Sequence, residues 1–302
     1  MARKLLAQTQ WLNIKFILNI RRIRGHHSCP LFFMKKILNI YRCNTTNLGD
    51  LLSAPYLYFE KLGNKIADIK HFRYQDKADV VIVGGGALIS GQNNKWINWF
   101  LDGHGKVKPK QVILWGVGGD QDSIEWFWRV YMTCSKPPVF QRDKVKYKYS
   151  QYGPDVSCMH KLFGKHKIKN SKKILGISAS KKPLGHSQYF DAHINNEFKS
   201  LQEFIDIVND YEFIVTSCYH PALWSTWLGK KVIVSIDTEH TAKHIFKLYH
   251  MAHQPIVCRN NIQLNNKNKL DTLLQQAKTF PTAHEQDRTR TEYIWNQVHH
   301  MC

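Results

Sequence analysis

The chain has 302 residues, 43% hydrophobic and 22% charged, which allows two ordinary globular domains. Its net charge of +20 favours acidic partners: phosphorylated small molecules, anionic polysaccharide, nucleic acid or an acidic membrane surface. Scattered lysines and the lack of a zinc finger or aromatic RNA-binding signature argue against nucleic acid, seven cysteines with no C-x-x-C pair argue against a disulfide framework or zinc site, and no uninterrupted apolar run approaches the roughly 18 residues that span a bilayer.

Residues 1–33 stand apart. Arg3, Lys4, Lys15, Arg21, Arg22 and Arg24 give them six positive charges and no acid, which leaves +14 for the rest. The apolar residues among those charges, Trp11 to Ile23, fit a basic amphipathic helix on an anionic membrane. A secretory signal fits less well, because Lys15 splits the apolar stretch. Met34-Lys35-Lys36 running into an apolar strand reads as a natural start, with 1–33 as an extension outside the folded part of the chain.

Residues 37–41 are predicted as a strand, 44–49 as a polar loop, and the segment to Leu62 as a helix with Pro55 near its first turn. A buried strand at 79–83 ends in Gly84-Gly85-Gly86, and another, from Gln111, ends in Gly116-Val117-Gly118-Gly119. A helix is expected at 123–131 and a short strand at 137–140. The Lys-rich stretch 161–173 reads as a linker between an N-terminal domain, 34–165, and a C-terminal one, 171–302. The second half continues with a strand at 174–178, an amphipathic helix at 201–209, a strand at 212–216, a helix at 221–228 and a strand at 231–235. Helices follow at 241–252, at 269–279 and from about His284. Strands alternating with helices in two blocks predict an α/β protein with two Rossmann-like domains facing a cleft. Ligands of such sheets collect at the carboxyl ends of the strands.

The candidate residues lie at those ends. His220 precedes Pro221, whose missing N–H suits a first helical position, so the imidazole would sit at a helix N-terminus and could hold an anion or move a proton; it could equally cap or pack. Asp50 is a base for a hydroxyl or a cap for the helix after Asn47-Leu48-Gly49. Gly84, Gly85 and Gly86 offer backbone N–H groups to a phosphate, or form a tight turn. Arg142-Asp143 grips a carboxylate or phosphate, or is a surface ion pair. Ser178 and Ser180 with Lys181 and Lys182 suit an anion, or a solvated turn. Trp96, Trp99, Trp126 and Trp128 could stack on sugar rings, although core packing is their commoner use.

In order and spacing these pieces resemble the polysaccharide pyruvyl transferase family. The matching segments are Asn47-Leu48-Gly49-Asp50, the strand and turn from Ala78 to Gly86, the Trp115–Gly119 turn, Arg142-Asp143, and Thr216 to His220 followed by Ala222-Leu223 and 228–233. The resemblance covers about residues 34–240. It implies a GT-B-like fold and transfer of pyruvate from phosphoenolpyruvate to a pair of sugar hydroxyls, usually as a ketal. The acceptor would be a bacterial surface polysaccharide, capsular or exopolysaccharide, or its lipid-linked precursor, handled in the cytoplasm at the inner face of the membrane. It further implies His220 as phosphate ligand and acid, Asp50 as acceptor base, and Arg142, Ser217, Ser178, Asn47, Gly49 and the glycine turn on the donor. No metal and no cofactor beyond the donor substrate is implied. The family usually has arginine where this chain has Cys218. That departure keeps two alternatives open, a GT-B glycosyltransferase using a nucleotide sugar and an inactive relative that binds phosphorylated metabolite or polysaccharide.

Overall fold

The computed structural model describes residues 35–63, 65–70, 78–89, 111–119, 138–144, 150–165, 171–179, 184, 188–236, 248–258 and 261–302. The expected extension at 1–33, the helix at 123–131, most of 241–252, the four tryptophans at 96, 99, 126 and 128, and Ser180, Lys181 and Lys182 lie outside the described residues.

The protein is α/β, with two all-parallel sheets consistent with two Rossmann-like domains. The first sheet has six strands: β1 (Ile37–Tyr41), β2 (Ile66–Asp68), β3 (Val80–Gly84), β4 (Gln111–Val117), β5 (Val139–Gln141) and β6 (Gln151–Tyr152), in the order β2-β1-β3-β4-β5-β6. The second has five: β7 (Ile174–Ser178), β8 (Ala192–Asn195), β9 (Phe213–Thr216), β10 (Lys231–Ser235) and β11 (Ile256–Cys258), in the order β11-β10-β9-β7-β8. The described helices are α1 (Leu48–Leu52), α2 (Leu201–Asn209), α3 (Tyr219–Trp227), α4 (Asn261–Leu264), α5 (Lys267–Gln276) and α6 (Ala283–Val298).

The central strands are apolar runs because both faces are covered. Side chains alternate across the pleat, so Val81, Val83 and Leu114 join one core and Val80, Ile82, Ile113 and Trp115 the other. In the second sheet Leu175, Ile177, Ile214 and Val234 face one way, and Ile174, Val215 and Ile233 the opposite way. Helix α2 begins with a serine N-cap and a glutamate that reaches back past it. Ser200 accepts from Glu203 N at 3.1 Å, and Glu203 accepts from Lys199 N at 2.7 Å. Its buried stripe is Leu201, Phe204, Ile205 and Val208.

Two sequence expectations need correction. The helix expected to run to Leu62 stops at Leu52, followed by 3₁₀ turns at Pro55–Leu57 and Glu60–Leu62. Pro55 has no N–H to continue the ladder, so it opens a new turn. The helix expected from Pro221 begins two residues earlier, at Tyr219, with Cys218 as N-cap. Pro221 is therefore the third residue of the first turn, where an N–H still has no intrahelical acceptor.

Helix α6 joins both sheets. Ile294 and Val298 enter the core of the first, where Phe59 stacks on Trp295 at 4.7 Å and on Trp115 at 5.1 Å between ring centroids. Ala283 enters the main core of the second. Between these contacts Asp287, 2% exposed, accepts from Tyr152 Oη at 2.9 Å and Trp227 Nε1 at 2.9 Å, with His253 Nε2 at 3.0 Å. No helix among the described residues is long and apolar enough to cross a membrane. The described cysteines, Cys43, Cys158, Cys218, Cys258 and Cys302, form no disulfide with one another.

Ile294 is fully buried, so Ile294→Ala is expected to cost about 2–5 kcal/mol, read as a lower midpoint in denaturant unfolding. An unchanged midpoint would mean that α6 does not hold the first sheet.

Candidate functional site

In a parallel sheet every strand delivers its loop to the same edge, so the sheet topology explains why distant segments meet. The segment after β1 bears Gly49, Asp50 and Ser53, that after β3 Gly85 and Gly86, and that after β4 Gly118. Arg142 and Asp143 follow β5, Asp155 follows β6, and Ser217 to His220 follow β9.

Asp155 is the centre of this constellation. It is 2% exposed and caps the 3₁₀ turn Val156–Met159 by accepting from Ser157 N at 3.1 Å. Ser157 Oγ donates to it at 2.7 Å and receives Trp224 Nε1 at 3.1 Å. Arg142 Nη1 donates to Asp155 Oδ2 at 3.2 Å, and His220 Nε2 lies 3.3 Å from the same oxygen. Ser53 Oγ lies 2.9 Å from that oxygen, 3.1 Å from His220 Nε2 and 2.7 Å from the Gly49 carbonyl. Burial alone would raise the Asp155 carboxyl. The hydrogen bond and charge of His220, the charge of Arg142 and the Ser157 hydrogen bond outweigh it and hold the group well below the usual carboxylate range.

The His220 ring lies against the Cα of Gly49, where any Cβ would overlap it. Glycine is therefore a packing requirement at 49. Asp155 Oδ2 and Ser53 Oγ both lie within hydrogen-bond distance of His220 Nε2, which fixes the orientation of the ring. Arg142, 2% exposed, also has Asp143 at 3.9 Å and stacks on Tyr219, its Cζ 4.0 Å from the ring centroid. It does grip a carboxylate, as its residue type suggested, but the carboxylate is the protein's own. Asp143 is buried too and accepts Gly119 N at 3.0 Å, so the pair is not a surface ion pair.

The other predicted residues divide. Asn47, not Asp50, caps α1 by accepting from Gly49 N at 3.1 Å. Asp50 is left facing Arg42 at 3.4 Å and the Gly86 turn. Gly85, at φ 76°, packs against the Ser53 carbonyl, and its N–H donates to Trp115 O at 3.1 Å. That N–H is spent within the fold, and Gly84 packs on Pro55. Ser217 is 4% exposed and its Oγ has no hydrogen-bond partner. Ser178 Oγ reaches only Asn195 Oδ1, at 3.5 Å. Among the described residues no group of three or more metal-ligating side chains converges.

A pocket of about 810 Å³ lies beside this constellation. Asn47, Leu48 and Leu51 line it, together with Arg42, Asn196 and Lys199. Along the short helix, Gly49 and Ser53 face His220 while Leu48 and Leu51 face the pocket. Helix α1 is thus the wall between them.

Sequence reasoning missed Asp155 and Ser53 as members of this cluster. The available signal was Gly153-Pro154-Asp155, a turn ending in a carboxylate at the close of the first half.

Removing the Asp155 charge leaves Arg142 buried without its nearest counter-ion. Asp155→Asn is expected to destabilise the fold by about 3–5 kcal/mol. A depressed carboxyl stabilises the fold above its unfolded titration range, and that stability is lost as pH falls through the folded value. Wild-type stability should therefore fall more steeply below about pH 4 than that of Asp155→Asn, measured by denaturant unfolding across pH; equal slopes would exclude Asp155 as the acid-labile centre.

No protein-family model matches the chain, and no curated protein sequence matches it. It is similar to a solved structure of a functionally uncharacterized protein from Klebsiella pneumoniae subsp. pneumoniae, with 16% identity, a TM-score of 0.48, and coverage of 75% of this chain and 92% of that one.

Proposed function

We propose that the protein transfers pyruvate from phosphoenolpyruvate to a pair of hydroxyls on a saccharide acceptor. One observation supports this reading. Segments that resemble the pyruvyl transferase family and lie far apart in sequence, at Asn47 to Asp50, Gly84 to Gly86, Arg142-Asp143 and His220, pack on one another at the carboxyl ends of two parallel sheets. The two sheets also suit the GT-B-like arrangement that the resemblance implies.

The chemistry assigns roles as follows. Protonation of the donor's methylene carbon makes a methyl group and leaves the adjoining carbon electrophilic. One sugar hydroxyl attacks that carbon, phosphate leaves with the C–O bonding pair, and the second hydroxyl closes the ketal. Of the two hydroxyl protons, one balances the new methyl group and the other leaves on phosphate. His220 supplies the acid while Asp155 holds its ring at Nε2. Arg142 is a positioning residue that fixes Asp155 and Tyr219. Asp50 is the acceptor base, placed beside the Gly86 turn and Arg42. Ser217 Oγ, buried and without a partner, is a donor to the anionic substrate.

Calorimetric titration with phosphoenolpyruvate should show saturable binding. His220→Ala should lower turnover about 10²–10⁴-fold, while the fold, followed by far-ultraviolet circular dichroism, persists. Binding of a nucleotide sugar in place of phosphoenolpyruvate would move the protein to the glycosyltransferases. Full turnover in His220→Ala would remove its role as acid.

A further inference from the structure

We infer that the 810 Å³ pocket on the far side of α1 is a ligand site of its own, for a saccharide that carries one phosphate. It borders the site of the pyruvyl transfer reading, sharing Asn47 and the Arg42–Asp50 pair with it, but does not need that reading. The volume falls within the ~300–1,000 Å³ of small-molecule sites, and the location is the crevice beyond the carboxyl ends of β1, β7 and β8, where open parallel sheets bind ligands.

The walls select the ligand. Arg42, just after β1, and Lys199, just before α2, bring one cation each from the two halves of the molecule. Arg42 is under-used: among the described residues its ion pair is to Asp50, 3.4 Å long through one Nη1 donor. Its guanidinium has donors to spare for an anion held between these two side chains. The remaining polar lining is mostly neutral, with amides at Asn47 and Asn196 and hydroxyls at Thr45 and Thr46. Such groups both donate and accept, which suits sugar hydroxyls and gives little to a bare ion. Glu197 adds one acceptor-only carboxylate, so the lining nets a single positive charge and a monoanionic or dianionic head group is favoured over a polyanion. Leu48, Leu51 and Phe198 supply an apolar strip against which the C–H face of a sugar ring can lie.

The test is calorimetric titration of the full chain with the 1-phosphates of glucose, galactose, mannose and N-acetylglucosamine, alongside glucose and inorganic phosphate. At least one sugar phosphate should saturate about tenfold more tightly than inorganic phosphate. Lys199→Glu, at an exposed position, should weaken that binding about tenfold or more, the loss of one charge-assisted contact, with an unchanged thermal midpoint. Failure of all four sugar phosphates to saturate, equal binding of inorganic phosphate, or indifference to Lys199→Glu would each overturn the inference. Phosphoenolpyruvate titrated into Lys199→Glu reads the His220 site separately, so failure of one site is distinguishable from failure of the other.

Discussion

A fully desolvated carboxylate has to be answered by donors on every side, and the answer at Asp155 is what assembles this molecule. Ser53 comes from the C-terminal end of α1, Arg142 from the end of β5, Ser157 from its own turn and His220 from α3 in the other half. None of these groups is correctly placed unless both sheets are formed and their strand ends face each other. The cost of burying charge thereby becomes a condition on the relative placement of elements, and apolar packing alone would set no such condition.

The same logic recurs at Asp287. That carboxylate takes Tyr152 from the first sheet and Trp227 and His253 from the second. The two buried acids differ in their partners. Around Asp287 two of the three are neutral aromatic donors that hold position. Around Asp155 they include a guanidinium and an imidazole, groups that carry or move charge. Of the two clusters only that of Asp155 holds a guanidinium, and the buried, unpartnered hydroxyl of Ser217 follows β9 just ahead of His220. That contrast favours chemistry at the first cluster and architecture at the second.

What the sequence made legible follows from burial. The expected strands at 37–41, 79–83, 111–119, 174–178, 212–216 and 231–235 correspond to β1, β3, β4, β7, β9 and β10, all interior, and 137–140 lies at β5. The strands with no sequence signal, β2, β6, β8 and β11, are the edges of the two sheets. An edge strand pairs on one side, is short and keeps a solvated face, so it shows no apolar run. In the site, His220 and Arg142 were legible because a histidine before Pro221 and an arginine at a strand end are chemically conspicuous. Asp155 was not, because an aspartate after Gly153-Pro154 reads as an ordinary turn residue and its partners come from far along the chain. Asp50 and Asn47 show the limit of local reasoning: both suit a cap, and the fold gave that task to Asn47.

The return of α6 to the first sheet has a consequence for synthesis. The stack of Phe59, Trp115 and Trp295 closes one face of the six-stranded sheet with residues made long after its strands. On the ribosome that face therefore stays open, with Trp115 unsealed, until residues 283–298 have emerged. The N-terminal half cannot finish folding as an independent vectorial unit. It waits as a partly formed layer that needs protection from association, and its completion coincides with the docking of the two halves on each other.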